Sequence, residues 1–185
     1  MLTCTSKELP VLQRAVEWLG YRDGRVYLEQ TAAASRGAGS RTYGNPRLYF
    51  TLRNGTLLPF DRLSFGERRF IAFLYYVALL REHDAPIVDE LTNGMHHRMV
   101  EACLEQVRVR QCFFATQSPL LLDPLAFSSV GEVERAFILA SRIVEGDEDR
   151  MMWNQMSAHE AQEFYQDYLV GIQHVNDILR VRGLW

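Results

Sequence analysis

Leu63-Ser64-Phe65-Gly66-Glu67, Ile87-Val88-Asp89-Glu90 and Phe113-Phe114-Ala115-Thr116-Gln117-Ser118-Pro119 are the three runs whose order decides the fold. The first carries the small polar residue and the glycine of a helix start, and opens a helix expected over Glu67 to Arg81. That helix is apolar nearly all round, so burial is expected on every side. The second run ends a short apolar stretch, Ala85 to Val88, in two carboxylates. Pro86 has no N–H to give to a ladder, so a strand here must begin at Pro86 rather than run through it. The third run is a strand expected over Cys112 to Thr116 with a polar tip, and Gly94 to Val109 between them reads as a helix. Strands alternating with helices predict a parallel sheet covered by helices.

Outward from this centre the elements become shorter. Leu9, Leu12, Val16 and Leu19 recur at helical spacing, with Gly20 as the stop. Val26 to Leu28 reads as a short strand, and Thr31 to Gly44, rich in Ala, Ser, Gly and Arg, as a loop. Asn54-Gly55 between the apolar runs Leu48–Leu52 and Thr56–Leu58 is a strong hairpin signal, and makes its arms antiparallel. Beyond the third run, Val133 to Leu139 and Arg142 to Val144 are strand candidates, with an acidic turn at Gly146 to Arg150. Ser157-Ala158-His159-Glu160 is a capping box that starts a helix to about Val170, and a last helix is expected over Ile172 to Arg180. Trp153, Phe164, Tyr165 and Tyr168 read as core or interface aromatics, and Leu184-Trp185 as a terminal anchor. The class is α/β with an added antiparallel hairpin, expected as a single incomplete domain over 1–185 with three regions, 1–62, 63–125 and 126–185.

Composition bounds the function. The chain has 185 residues, 48% hydrophobic and 23% charged, which excludes disordered and fibrous classes. Its longest apolar run, Phe70 to Leu80, is eleven residues, short of the roughly 20 that a membrane span needs. No secretory leader pattern opens the chain, and Cys4, Cys103 and Cys112 lack metal-ligand spacing, so a reduced, cytoplasmic setting is expected. The 20 basic residues include one lysine, Lys7, the rest being arginine. Arg41, Arg47, Arg53, Arg62, Arg68 and Arg69 gather near the hairpin, where they would serve nucleic acid or simply a solvated face; the net charge of −3 favours the second.

In order and spacing, the three runs resemble the signature motif, Walker B strand and switch strand of an ABC-type ATPase head of the SMC-like and OLD-like kind, over about Leu48 to Asp123. Asn93-Gly94-Met95-His96 is similar to the D-loop that follows Walker B there and contacts the partner subunit. The resemblance implies a partial P-loop NTPase fold that works with ATP and Mg²⁺. Ser64, Phe65, Gly66 and Glu67 would then face the nucleotide. A helix N-terminus offers unpaired N–H groups, Gly66 lets a phosphate come close, and the Ser64 hydroxyl donates to a γ-phosphate oxygen. Asp89 would hold the metal, and Glu90 would orient or deprotonate the attacking water. The alternatives are a capped core helix and a solvated acidic strand end. His96 and His97, adjacent in sequence, are expected to face different ways and make a poor metal pair. Where the family carries histidine at the switch, this chain has Gln117, an amide that donates to phosphate but cannot become cationic.

A complete site also needs Gly-x-x-x-x-Gly-Lys-Ser/Thr. Lys7 lies between Ser6 and Glu8 with no glycine near, and Arg36-Gly37-Ala38-Gly39-Ser40 has no lysine and no preceding strand. The resemblance therefore implies the C-terminal half of a head, with the P-loop supplied by another segment or a partner subunit. Such a half would expose an apolar sheet edge or face, so oligomer formation is expected, with nucleic acid reached through a partner and no membrane. Roles in DNA maintenance or anti-phage defence follow by family analogy alone. A non-catalytic interaction module that keeps the motifs as relics is the alternative.

Overall fold

The computed structural model describes residues 1–31, 42–145, 148–171 and 174–184. The chain divides into two compact units, Met1–Gln117 and Ser118–Trp185.

The first unit opens with β1 (Leu2–Thr5), α1 (Pro10–Leu19), β2 (Asp23–Gln30), β3 (Tyr43–Thr51) and β4 (Leu57–Pro59). These four strands form one antiparallel sheet in the order β1-β2-β3-β4, with a register shift between Tyr27 and Glu29. Pro10 stands at the first position of α1, where its missing N–H costs nothing, and the helix stops on left-handed Gly20. Its apolar stripe, Leu12, Ala15 and Val16, is buried. The Asn54-Gly55 turn joins antiparallel arms as expected, Thr51 opposite Leu57. The Asn54 side chain there accepts from the Thr56 N–H at 3.0 Å.

A short 3-10 turn, Phe60–Arg62, leads to α2 (Phe65–Leu79), β5 (Ile87–Asp89), α3 (His97–Val107) and β6 (Phe113–Ala115). β5 and β6 are parallel, Ile87 opposite Phe113 and Asp89 opposite Ala115. The strand starts just after Pro86, which is buried and whose carbonyl accepts from the Phe113 N–H at 2.9 Å. Two expectations need correction. Parallel pairing is confined to these two strands among the described residues; the four N-terminal strands pair antiparallel, β3 and β4 through the tight Asn54-Gly55 turn. And α2 is buried only as far as its middle, at Gly66, Phe70, Ile71, Phe73 and Leu74; Leu79 at its end is 81% exposed.

The second unit holds α4 (Pro119–Leu122), α5 (Val130–Ala136), β7 (Ile138–Glu145), β8 (Glu148–Gln155), α6 (Ala158–Val170) and α7 (Val175–Val181). In place of the strand expected over Val133 to Leu139, the structure makes Val130–Ala136 a helix. Ser129 caps it by accepting from the Glu132 N–H, while the Glu132 carboxylate accepts from Ser128 N–H at 2.7 Å and Ser128 Oγ at 2.8 Å. One strand then runs unbroken from Ile138, so Arg142 to Val144 is its second half rather than a separate element, and β8 pairs with it antiparallel. The Ser157 capping box is formed, with Ser157 N–H donating to Glu160 Oε2 at 2.8 Å. Left-handed Gly171 ends α6. The core here is Leu122, Val133, Met156, Ala161, Phe164, Val175, Ile178 and Leu179, with Phe127 and Phe137 packed on Phe164. Tyr165, Tyr168 and Leu184 pack against it, whereas Trp153 is 67% exposed. The expected anchor at Trp185 lies outside the described residues. No helix among the described residues is long and apolar enough to cross a membrane.

Candidate functional site

The tip of α2 is built by a capping box. Ser64 Oγ accepts from the Glu67 N–H (3.2 Å), and Glu67 Oε2 accepts from the Ser64 N–H (2.8 Å). The second carboxylate oxygen of Glu67 accepts from the Tyr21 hydroxyl at 2.5 Å, which ties the helix tip to the turn after α1. Partial burial raises the Glu67 pKa, but the hydrogen bonds from Tyr21 and Ser64 outweigh it and hold the carboxyl below its ordinary value. Burial, then the Glu67 hydrogen bond, push the Tyr21 hydroxyl upward. Ser64 uses only an acceptor lone pair in the box, so its O–H proton remains available to a ligand oxygen. Phe65 is 57% exposed, with the Arg69 guanidinium 6.0 Å from its ring centroid.

Gly66 has a packing reason to be glycine. A Cβ there would fall inside the Gly94 carbonyl oxygen, and a Cβ on Gly94 would lie 2.6 Å from Phe65 Cδ1. Gly94 is also left-handed, φ +74°. The helix tip and the Asn93-Gly94-Met95 turn are therefore pressed backbone to backbone. The turn itself is closed by Asn93 N–H to Glu90 O (3.2 Å) and Met95 N–H to Thr92 O (2.9 Å). Met95 is buried in the core, while Asn93, Gly94 and His96 are exposed.

The acidic strand end meets the third run directly. The Glu90 N–H donates to Ala115 O at 2.8 Å, and the Gln117 N–H donates to Glu90 Oε1 at 3.1 Å. Glu90 is left-handed at φ +48°, one of two described non-glycine residues with positive φ. Such a conformation costs of order 1–3 kcal/mol and survives where surroundings over-determine it; here the two hydrogen bonds to the β6 segment do so. Asp89 is exposed, and its carbonyl accepts from Arg69 Nη2 at 2.7 Å. Arg69 thus joins α2 to the end of β5. Ser64, Phe65, Gly66, Glu67, Asp89, Glu90, Asn93, Gly94, Met95, His96 and Gln117 all lie in the first unit, linked by this chain of contacts.

Three members carry no family-like motif in the sequence: Tyr21, Arg69 and Thr92, the last buried at the turn. Only Arg69 has a signal that could have found it, as an arginine one helical turn beyond Phe65. The histidines need correction: their rings do not diverge but lie 4.1 Å apart at the start of α3. Among the described residues no group of three or more His, Cys, Asp or Glu could hold a metal by itself. Asp89 alone would leave most of a cation's coordination to a nucleotide and water, as magnesium sites with phosphate do. Arg47 pairs with Glu29 at 2.8 Å, Arg69 holds the Asp89 carbonyl, and Arg41 lies outside the described residues together with the 36–40 loop.

No curated protein matches the sequence. Among solved structures, an SMC ATPase from work on the structural biochemistry of ATP-driven dimerization and DNA stimulated activation of SMC ATPases is 11% identical, covering 85% of this chain and 90% of that one, TM-score 0.44. An Smc head domain with a coiled coil and joint derived from Pyrococcus yayanosii is 12% identical, covering 85% of this chain and 29% of that one, TM-score 0.45. A family model described as "AAA domain, putative AbiEii toxin, Type IV TA system" matches residues 13–123, a span that includes all three decisive runs. The chain belongs to this AAA-domain family, as a P-loop ATPase-like module.

Proposed function

We propose that the chain supplies the signature and Walker B elements of an ABC-type ATPase site whose P-loop comes from another polypeptide or segment. The observation that carries the reading is the direct packing of the Ser64–Glu67 helix tip on the turn that follows Asp89-Glu90. In this reading Asp89 holds Mg²⁺ together with the nucleotide. Glu90 takes a proton from the attacking water or orients it, and the Gln117 amide reaches a γ-phosphate oxygen. Ser64 O–H donates to the phosphate facing the helix tip, with Phe65 beside it, while Gly66 and Glu67 shape that tip. Asn93, Gly94 and His96 present the D-loop to a partner subunit. ATP supplies the phosphoryl group to be transferred.

The open parallel pair supports the need for a partner. Parallel sheets are normally covered on both faces. Here Ile87 (77% exposed) and its neighbour Phe113 stand on an uncovered face of β5 and β6. A P-loop-bearing half would extend that sheet and cover the face. We place the module in a reducing cytoplasm, where its three free cysteines are stable. Buried Cys103, its thiol pushed up to about 12 by burial, is inert there. The family's description, which names a toxin of type IV TA systems, supports a setting in defence.

The test is ATP turnover by the chain alone and beside a P-loop-bearing half. Turnover is expected only in the mixture, and robust hydrolysis by the chain alone overturns the reading. A second reading is an ATPase-like interaction module without catalysis. It is favoured by Gln117 at the switch and by the Glu67 carboxylate, an anion placed where a phosphate would approach. A mixture that binds but never hydrolyses selects it.

A further inference from the structure

The parallel ladder between β5 and β6 ends in an exchange of acceptors. Phe113 N–H donates to Pro86 O at 2.9 Å, and Glu90 N–H donates to Ala115 O at 2.8 Å. An evenly spaced ladder would continue from the Gln117 N–H to the Glu90 carbonyl. Here that carbonyl accepts from the Asn93 N–H at 3.2 Å, and the Glu90 carboxylate receives the Gln117 N–H at 3.1 Å in its place. The carboxylate reaches this seat because its own backbone turns left-handed, φ +48°. One peptide plane, Asp89–Glu90, governs that turn. Its N–H is held by Ala115, while its C=O faces the other edge of β5, where no described strand pairs. Arg69 Nη2 donates to it there at 2.7 Å. Turning the plane over by about 180° would return Glu90 to negative φ and release both of these bonds. The Arg69 guanidinium is itself placed, 6.0 Å from the centroid of Phe65, one turn earlier on α2.

We propose that Arg69 is a positioning residue for Glu90: it clamps the Asp89–Glu90 peptide from the open edge of β5, so that the Glu90 carboxylate stays on the Gln117 N–H. Its meaning for catalysis rests on the reading of Glu90 as the group that handles the attacking water. The hold is on the main chain, so the arginine sets where the carboxylate stands without taking part in the chemistry. A hydrogen bond from a charged donor and the cost of a left-handed non-glycine residue are of the same order, so this one bond weighs measurably in the balance.

The test is site-resolved amide hydrogen exchange on the full chain without nucleotide, native against Arg69→Met. Exchange at Glu90 and Gln117 should rise roughly tenfold or more, the gain in turned-over peptide when one such bond is lost. The Phe113 N–H, in the same ladder, should exchange as in the native chain. No change at Glu90 and Gln117 overturns the proposal. A rise shared equally by Phe113 and the body of α2 also overturns it, since that is the mark of a merely structural tie. Arg69→Gln takes the place of Arg69→Met if the latter does not fold. The exchange measurement needs no P-loop half, so it can fail while the ATPase reading stands, and the reverse. In a mixture that hydrolyses ATP, Arg69→Met should lower kcat by about tenfold or more with KM unchanged, the signature of a displaced catalytic group. A rise in KM with kcat unchanged would instead put Arg69 on the nucleotide and contradict the positioning role.

Discussion

Gly66 shows how a residue read for one purpose in the sequence serves another in the structure. Its missing side chain is expected to admit a phosphate; the structure gives that space to the Gly94 carbonyl. Gly66→Ala must therefore push two backbones apart. A destabilisation of about 1–3 kcal/mol is expected, the range for overpacking, measured by urea unfolding; an unchanged midpoint would show the packing to be loose. Glu67 and Tyr21 set the pH response at the same tip. The folded Glu67 pKa is lowered from 4.5, so its contribution is full above the unfolded value and is lost as pH falls through the folded one. Tyr21 is raised from 10.0, so its contribution is full below that value and is lost as pH rises through the folded one. Glu67→Gln should flatten the acid limb of the stability curve, and Tyr21→Phe the alkaline limb. Native-like limbs in both variants would remove this pair from the account.

At the level of elements, local chemistry is readable where a few adjacent residues decide it. Asn54-Gly55, the Gly20 stop and the Ser157–Glu160 box are all where their side chains dictate. The Ser129-Val130-Gly131-Glu132 signature is of the same kind, but the β-branched and aromatic residues around it mimic a strand. The β8 strand escapes sequence reading for a different reason. Met151, Met152 and Trp153 do not alternate with polar residues, so period two is invisible without the partner strand. Of the site, the three runs and the D-loop turn are legible, and Arg69 is within reach of helical spacing from Phe65, whereas Tyr21 reaches the site through a tertiary contact with Glu67 that spacing cannot reveal. Two substitutions test the elements. Ser157→Ala removes the side-chain half of a capping box and should cost about 0.5–2 kcal/mol by thermal unfolding. Ile87→Ser, on an open face, should leave stability within about 0.5 kcal/mol while weakening any association through β5 and β6. A large loss of stability would mean that Ile87 is covered in the native chain.

Over the whole molecule, the family match shows a P-loop ATPase-like module, and the sequence holds no Gly-x-x-x-x-Gly-Lys-Ser/Thr motif. One lysine, Lys7, stands outside any glycine loop. Three runs bring an acidic strand end, a helix tip and a switch amide into one connected constellation, with an apolar sheet face beside them. Each part has an ordinary structural purpose by itself; together they are the parts that the proposed shared site requires. The most direct measurement is steady-state ATP hydrolysis by an equimolar mixture of this chain with a P-loop-bearing half of the same family. The chain alone should be inactive and the mixture active, and Glu90→Gln should lower the mixture's kcat by about 100-fold or more, the scale of a lost general base. A mixture whose turnover is unchanged by Glu90→Gln contradicts the assignment, as does a chain that hydrolyses ATP unaided.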